Sequence, residues 1–351
     1  MDAIYLSIVI AAYNAEKTIE RAIKSIINQN VGSYEIVIVD DGSSDGTVEI
    51  INNVKERNPN IDIRLISIIN SGVANARNIG IKNAVGKYIT FMDSDDYYDA
   101  DVLSTFYRLS IQSPIVDLWK FSVIEKYYVD GVHKYDRICS TEEFSSNNKK
   151  EIMEKILDLE SIPLFGYVWN GFFKKDIIEA NNIQFSSEYI MEDFMFSILY
   201  SKYINSMTCI PNIYYVYFIE TSTTSLSKKY EPKYFEMYYL KVQTLLDIIQ
   251  LKLGNDTELY SKLSKLFTRY IYSALDRLSS EYSYTDKVNW LRSLYIMELY
   301  VILQPYMSVN KSIIGLLTYL LKYRHTNSII VVSQFISYIR NHFKVLFARL
   351  K

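Results

Sequence analysis

Apolar runs of strand length alternate with helical patterns along the first hundred residues. Continuous apolar runs predict buried strands at 4–12, 35–41, 61–67 and 87–92. Between them, apolar residues that recur every three or four positions predict helices from Ile19 to near Gly32, at 47–57 and at 72–85. This alternation is typical of a Rossmann-like α/β fold, in which helices cover a mainly parallel sheet.

Polar side chains gather where these strands end. Tyr13 follows the first strand, Asp40 and Asp41 end the second, and the carboxylates of "FMDSDDYY" (91–98) follow the fourth. Ligands bind outside the carboxyl ends of the strands in open parallel sheets, so these residues are predicted to form one site. Neither G-x-G-x-x-G nor a Walker loop follows the first strand, where "AAYNAEKT" (11–18) stands. A dinucleotide fold of the usual kind is therefore not predicted.

The carboxylates after the fourth strand indicate a metal site. Asp93, Asp95 and Asp96 fall within four positions, and such like charges repel unless a cation lies among them. Hard divalent ions take oxygen ligands, and they often use only one or two carboxylates together with substrate phosphates and water. The cluster favours a Mg²⁺ or Mn²⁺ site over the alternative, an acidic turn that caps the next helix.

Two further clusters carry charge that suits a ligand or a proton transfer. Arg77, in "NSGVANARNIG" (70–80), is a cation suited to a diphosphate or a carboxylate, although a lone Arg on a surface helix is usually only solvated. Glu192 and Asp193 begin an apolar helix. The helix dipole favours carboxylates in a first turn, but one with apolar neighbours can equally be a general base with a raised pKa.

The rest of the chain divides near 225–232, which predicts a domain at 1–228 and a helical region at 229–351. In the first part, the predicted elements are a hairpin at 116–139, helices at 149–159 and 188–203, and a strand at 209–219. In the second part, the predicted elements are amphipathic helices at 233–252, 257–280 and 286–304.

Composition is that of a globular protein, with 49% hydrophobic and 22% charged residues among 351. Cys139 and Cys209 form no C-x-x-C pair, and the three His show no metal-ligand spacing, so a zinc site is not predicted. The N-terminal "MDAIYLSIVIAAYN" shows neither a basic leader nor a cleavage site, which predicts a cytoplasmic protein.

The residues after Glu298 differ in charge from the rest of the chain. They include no Asp or Glu, but they hold seven of the 38 basic residues. In 312–351, apolar stretches broken by Lys and Arg predict amphipathic helices that lie on an anionic membrane surface. Two alternatives stay open: these helices complete the core, or they form a homo-oligomer interface. Nucleic-acid binding is not predicted, because the acidic body would oppose it.

In chain order, these motifs resemble the family-2 inverting glycosyltransferases of the GT-A fold. The matching segments are "SIVIAAYNAEKTIERAIKSIINQN" (7–30), "EIVIVDDGSSDGT" (35–47), "NSGVANARNIGIKNAVGKYITFMDSDD" (70–96) and "ED" (192–193). The resemblance covers about 4–220. It implies metal-assisted, single-displacement transfer of a sugar from a nucleotide-diphosphate sugar, such as a UDP-sugar, to a hydroxyl of a glycan, lipid-linked glycan or glycoprotein. The Q-x-x-R-W motif of processive members is absent, which favours one sugar per binding event.

The resemblance also implies roles for individual residues. Those expected around the donor nucleotide are Ala12, Tyr13, Asn14, Asp40, Asp41, Arg77, Asp93 and Ser94. Those expected in catalysis are Asp193 as the base and Glu192 beside it, and the metal ligands are Asp95 and Asp93. On the acceptor side, Trp169 and Asn170 are implied by "YVWNGFFKKDII", in which Gly171 replaces a residue that is often larger and polar in the family.

Two other functions stay open. A nucleotidyltransferase also joins an α/β nucleotide site to metal-binding carboxylates, but it is expected to carry a Gly-rich basic loop after the first strand. A catalytically silent scaffold of a glycan-assembly complex is expected to show decayed site residues, whereas the DxD and ED elements are intact. The resemblance implies a hexosyl- or N-acetylhexosaminyltransferase of cell-surface polysaccharide synthesis, which is expected to lie peripherally at the inner face of the membrane.

Overall fold

A computed structural model of the chain describes residues 5–29, 33–99, 101–112, 115–188, 191–220, 233–278, 282–309 and 312–342. The chain forms two compact units, Met1–Lys228 and Lys229–Lys351. All strands of the described residues lie in the first unit, and the second is helical.

The first unit is built on one mixed sheet. Its strands are β1 Leu6–Ala12, β2 Tyr34–Asp40, β3 Asp62–Ser67, β4 Tyr88–Asp93, β5 Tyr97–Tyr98, β6 Leu118–Val129, β7 Val132–Cys139, β8 Phe144–Ser146, β9 Gly171–Lys174 and β10 Met207–Glu220. The order is β3-β2-β1-β4-β9-β6-β10-β5, with β7 beside β6 and β8 beside β10. The first four strands pair in parallel, as predicted, whereas β9 runs antiparallel to both β4 and β6.

Helices cover this sheet. They are α1 Ile19–Ile27, α2 Thr47–Arg57, α3 Val73–Asn83, α4 Val102–Gln112, α5 Lys149–Ser161, α6 Lys175–Ala180 and α7 Glu192–Ser201. α1 buries Ile19, Ala22, Ile23 and Ile26, which is the predicted apolar face. It ends at Ile27, earlier than predicted. Gly32 and residues 189–190 of the predicted helix at 188–203 lie outside the described residues, and α4 and α6 were not predicted.

Strand register brings the predicted site residues to one edge of the sheet. Ala12 pairs with Asp40 across β1 and β2, and β1 also pairs with β4 up to Asp93. α3 lies close to β1 because Gly80 lacks a side chain: a Cβ there would sit 2.2 Å from Cγ1 of Val9. The parallel strands therefore end side by side, as the strand-end clusters predicted.

The second unit consists of helices in the described residues. They are α8 Tyr234–Leu253, α9 Thr257–Arg277, α10 Tyr284–Leu294, α11 Glu298–Leu303, α12 Ile313–Lys322 and α13 Thr326–His342. The single helix predicted at 286–304 is wrong, because the chain leaves the helical conformation before α11, where Met297 has φ −66° and ψ 138°. The apolar spacing continues across the break, since Leu294 and Leu299 on either side are both fully buried.

α12 and α13 pack against α9 and against each other. Their inner residues, including Leu321 and Ile330, are fully buried. Both helices thus complete a core, which was one of the interpretations left open for the tail. Among the described residues, none of the helices combines the length and the apolar character that crossing a membrane requires.

Candidate active site

Side chains tie together the loops after β1 and β2. Asn14 has a φ of +49°; its Oδ1 accepts the backbone N–H of Ser44 at 2.9 Å, and its own N–H donates to Oγ of Ser43 at 2.9 Å. Oδ1 of the buried Asp40 accepts the N–H of Ser43 at 3.2 Å. Tyr13, on the same loop, is 53% exposed. The two loops thus present an exposed aromatic ring on a fixed frame, where the nucleotide is predicted.

Asp41 is buried, and it forms hydrogen bonds with the backbone of two neighbouring segments, the end of β1 and the start of α3. Its N–H donates to the carbonyl of Ala12 at 2.8 Å. Its Oδ1 and Oδ2 accept the N–H groups of Ser71 and Gly72, each at 2.8 Å. The carboxylate therefore fixes the segment that begins α3. Its expected position around the donor nucleotide stays a prediction.

Arg77 connects two of the predicted clusters. Its Nη2 lies 2.8 Å from Oδ1 of Asp93, its Nη1 lies 2.8 Å from Oε1 of Glu192, and only 7% of the side chain is exposed. The ring of Phe185 lies 5.3 Å from the guanidinium carbon. Burial by itself would lower the pKa of Arg77, but Asp93 and Glu192 raise it, so the side chain stays charged. The interpretation of Arg77 as a solvated surface residue is therefore wrong.

Asp193 has the environment of a general base. Its Oδ1 accepts the backbone N–H of Phe194 at 2.8 Å. Burial and the charge of Glu192 raise the pKa of Asp193 to about 7, although Arg77 acts in the opposite direction. A carboxylate with a pKa near neutrality is well suited to proton transfer at neutral pH. Glu192 forms an ion pair with Arg77, so the adjacent carboxylates have different surroundings.

The turn after β4 leaves Asp95 exposed close to Asp93, with Ser94 partly exposed between them. Desolvation by the surrounding protein and the charge of Asp93 raise the pKa of Asp95 to about 6. Nη2 of Arg21 donates to the backbone oxygen of Asp95 at 2.5 Å. Two mutually repelling carboxylates fit a divalent cation that takes its other ligands from a diphosphate and water. In the described part of the chain, three or more metal-binding side chains do not come together to form a complete protein site.

Asp96 points into the protein and organises this turn. Its Oδ2 accepts the hydroxyl of Tyr215 at 2.8 Å, and its Oδ1 accepts the N–H of Phe218 at 2.8 Å. The hydroxyl oxygen of Tyr215 in turn accepts the N–H of Asp93 at 3.2 Å. β10 therefore supports the turn that presents Asp93 and Asp95. Sequence reasoning missed Tyr215, because 32 Tyr in the chain provide no signal that separates this one from the others.

The two residues implied on the acceptor side lie inside the protein. Trp169 is 2% exposed, and it stacks on Tyr215 with ring centroids 4.3 Å apart. Asn170 is fully buried; its Nδ2 donates to two backbone carbonyls at 3.2 and 2.8 Å, and its Oδ1 accepts Nζ of Lys120 at 2.8 Å. Both side chains have structural roles in this geometry. Their contact with an acceptor stays a prediction.

This sheet, with carboxylates along its strand ends, defines a protein of the GT-A glycosyltransferase fold. A solved structure of S. aureus TarS 1–349 in complex with UDP-GlcNAc matches it with a TM-score of 0.67. The match covers 97% of this chain and 92% of that one, at 18% sequence identity. The predicted fold class is therefore confirmed, including the C-terminal helices.

Sequence comparison gives the family. The model of Glycosyl transferase family 2 matches residues 7–160. The chain is 34% identical over 193 residues to the Escherichia coli UDP-Glc:alpha-D-GlcNAc-diphosphoundecaprenol beta-1,3-glucosyltransferase WfaP, covering 50% of this chain and 73% of that protein. It is 27% identical over 283 residues to the uncharacterized glycosyltransferase YibD of E. coli K12, covering 77% of each. Two other curated relatives are matched over 65% and 52% of their own length.

The chain belongs to glycosyl transferase family 2. It is a glycosyltransferase, which confirms the predicted enzyme class and favours it over the nucleotidyltransferase alternative.

Proposed function

We propose that the enzyme moves one hexosyl or N-acetylhexosaminyl residue from a UDP-sugar to a hydroxyl of a glycan or lipid-linked glycan, with inversion at the anomeric carbon. The observation that carries this proposal is the link through Arg77. Arg77 joins Asp93 to Glu192. Asp93 lies in the turn after β4 that carries Asp93, Asp95 and Asp96, which we call the carboxylate turn, and Glu192 directly precedes Asp193, whose pKa is near 7. A proton acceptor and a turn suited to a cation are thereby held next to each other.

The names of similar proteins support the substrate classes. The TarS structure was solved with UDP-GlcNAc, and the name of WfaP specifies UDP-Glc and a sugar linked to diphosphoundecaprenol. We place the UDP of this enzyme along the loops after β1 and β2. Tyr13 lies against the uracil ring in this arrangement, since the Tyr13 side chain is exposed and its loop is held by Asn14.

In the proposed reaction, Asp193 takes the proton of the acceptor hydroxyl while that oxygen attacks the anomeric carbon. The bond between this carbon and the UDP oxygen breaks on the opposite face, and UDP leaves with the electron pair, so the configuration inverts. A single displacement needs a single base, which fits the different roles of Asp193 and Glu192. Arg77 holds the base and the carboxylate turn at a fixed spacing, which is what proximity effects require.

We assign the divalent metal to Asp95 and Asp93. Asp95 offers an exposed carboxylate, and the charge of Asp93 contributes to its raised pKa although Asp93 is paired with Arg77, so a cation at this turn would relieve the repulsion that remains. When bound, Mg²⁺ or Mn²⁺ supplies positive charge that offsets the charge developing on the diphosphate.

We further propose that the enzyme acts peripherally at the cytoplasmic face of the membrane, through residues of 312–351. A lipid-linked acceptor such as that named for WfaP would be presented there. Exposed apolar residues on α12 and α13, such as Leu316 and Phe335, support this placement.

Substitution of the base tests the proposed reaction. Asp193→Asn removes the proton acceptor but keeps the shape of the side chain, so we expect sugar transfer to fall by about 10²- to 10⁴-fold while UDP binding survives. Transfer to water, measured as UDP release from a panel of UDP-sugars, provides an assay that needs no known acceptor. The matched control is Asp158→Asn on α5, an exposed carboxylate. Near-normal UDP release by Asp193→Asn would exclude it as the base.

A further inference from the structure

An aromatic cluster lies between the proposed base, Asp193, and the carboxylate turn after β4. Its members are Tyr167, Trp169, Tyr215 and Tyr217. Trp169 is stacked between Tyr167 and Tyr215, with ring centroids 4.3 Å away on each side and interplanar angles of 19° and 13°. Tyr217 lies 5.4 Å from Trp169 and 6.1 Å from Tyr167. Trp169 and Tyr215 are buried, whereas Tyr167 and Tyr217 remain partly exposed. The cluster thus has a buried centre, and the side chains of Tyr167 and Tyr217 are accessible to solvent at its edge.

Tyr167 lies beside the proposed base. Its ring is 5.4 Å from that of Phe194, the residue that follows Asp193. Phe194 fits there only because position 166 is Gly: a Cβ on Gly166 would sit 2.0 Å from Cδ1 of Phe194. Burial and nearby negative charges, Asp193 among them, raise the pKa of Tyr167. Tyr167 therefore packs against the residue that directly follows the proposed base.

Tyr217 lies beside the carboxylate turn. On β10 it lies between Tyr215 and Phe218, which both donate hydrogen bonds to the carboxylate of Asp96 at 2.8 Å. On the same strand, Tyr215 is used internally, because its hydroxyl donates to Asp96. Tyr217 is two residues further along β10, and its side chain remains partly exposed.

An acceptor hydroxyl must reach both the base and the anomeric carbon, so the groups that hold the acceptor must lie between the base and the metal-binding turn. Tyr suits a sugar ring, because one side chain offers an apolar ring surface and a polar hydroxyl. We propose that Tyr167 and Tyr217 form the acceptor subsite and bind a pyranose ring of the acceptor glycan, with Trp169 as their buried support. This inference rests on the proposed function, and it moves the acceptor contact from Trp169 and Asn170 to the partly exposed Tyr167 and Tyr217.

The test measures glycan binding and nucleotide binding separately. The full chain is applied to an array of pyranosyl oligosaccharides with UDP and Mn²⁺ present, and its UDP affinity is measured by calorimetry. We expect the wild type to retain at least one oligosaccharide. Tyr167→Ala and Tyr217→Ala are each expected to weaken that binding by about tenfold, since each removes both the apolar ring surface and the hydroxyl that contact the pyranose ring. Their UDP affinity is expected to stay within about twofold of wild type, which also shows that they fold.

Two controls sharpen the result. Tyr167→Phe and Tyr217→Phe keep the rings and remove only the hydroxyls, so they are expected to lose less than the Ala variants. Tyr203→Ala changes a Tyr that is 37% exposed just beyond the far end of α7, and it is expected to bind as wild type. Wild-type protein that retains no oligosaccharide, or Ala variants that retain it as wild type does, would overturn the inference. Failure of wild type to bind UDP would instead contradict the proposed function, whatever the array shows.

Discussion

At the scale of single residues, adjacent carboxylates acquire different chemistry from their partners. Glu192 forms an ion pair with Arg77, whereas Asp193 accepts a hydrogen bond from its neighbouring N–H and is otherwise desolvated. A pKa near 7 results for Asp193. The pair "ED" was recognisable in the sequence, but the partner of Glu192 was not, because it is an Arg that lies 115 positions earlier.

The raised pKa of Asp193 predicts how the rate depends on pH. Only the ionised carboxylate accepts a proton, so the transfer rate is expected to rise with pH through about 7 and then to level off. UDP release measured from about pH 5 to about pH 9 checks this. A rate that is unchanged across pH 7 would argue against a base with this pKa.

The same shift predicts an effect on stability. The pKa of Asp193 is higher in the folded protein than its ordinary value of 3.8, so the free energy of unfolding decreases as pH rises from about 4 to about 7. Asp193→Asn is therefore expected to raise the Tm at pH 8 while leaving it nearly unchanged at pH 4. A lower Tm at pH 8 would show that the ionised carboxylate stabilises the fold.

Asp95 is expected to affect metal-dependent binding alone. Asp95→Ala removes the exposed carboxylate of the turn, so the gain in UDP affinity that Mn²⁺ provides should fall by about tenfold or more, because a divalent ion uses only one or two carboxylates here. Calorimetry with Mn²⁺ and with a chelator measures that gain. Asp99→Ala, an exposed carboxylate four positions on, is the control. An unchanged UDP affinity with Mn²⁺ would remove Asp95 from the metal site.

At the scale of elements, the sequence predicts those strands and helices whose own residues form a clear apolar pattern. The strands at the centre of the sheet are buried on both faces, and their continuous apolar runs were recognised. β9, by contrast, has only four residues, Gly171–Lys174, and too little length for a pattern. The burial of Trp169 was not predictable either, since an aromatic side chain looks alike in sequence whether it packs inside the protein or binds a ligand.

The support of the carboxylate turn by β10 was also not predictable, because Tyr215 and Asp93 lie 122 positions apart. Tyr215→Phe removes the hydroxyl between Asp93 and Asp96 and leaves a buried carboxylate oxygen without its donor. We expect a loss of about 1–3 kcal/mol in the free energy of unfolding, together with weaker UDP binding in Mn²⁺. Denaturant unfolding and calorimetry measure both. Tyr214→Phe, at the preceding buried residue of the same strand, is the control, and equal results for both variants would contradict a specific role for Tyr215.

At the scale of the whole molecule, the tail combines a buried inner side with an apolar outer side. The exposed apolar residues recur at helical spacing and are Leu316, Tyr319, Tyr323, Val331, Phe335 and Tyr338. No Asp or Glu follows Glu298, so all formal charge in this part of the chain is positive apart from the chain terminus. Apolar and aromatic side chains without acidic neighbours fit an anionic membrane surface, and they fit a second copy of the chain less specifically.

Flotation with lipid vesicles distinguishes these partners. Full-length protein is expected to float with vesicles that contain an anionic phospholipid, and to be released at about 0.5 M NaCl because salt screens the basic residues. The double variant Phe335→Ser and Tyr338→Ser is expected to float several-fold less, since it removes two exposed aromatic side chains. Leu251→Ser, at a residue that is 67% exposed near the end of α8, is the matched control. Equal flotation of the double variant and wild type would exclude the membrane surface. A dimer of the wild type that dissociates in the double variant would instead identify these residues as a homo-oligomer interface.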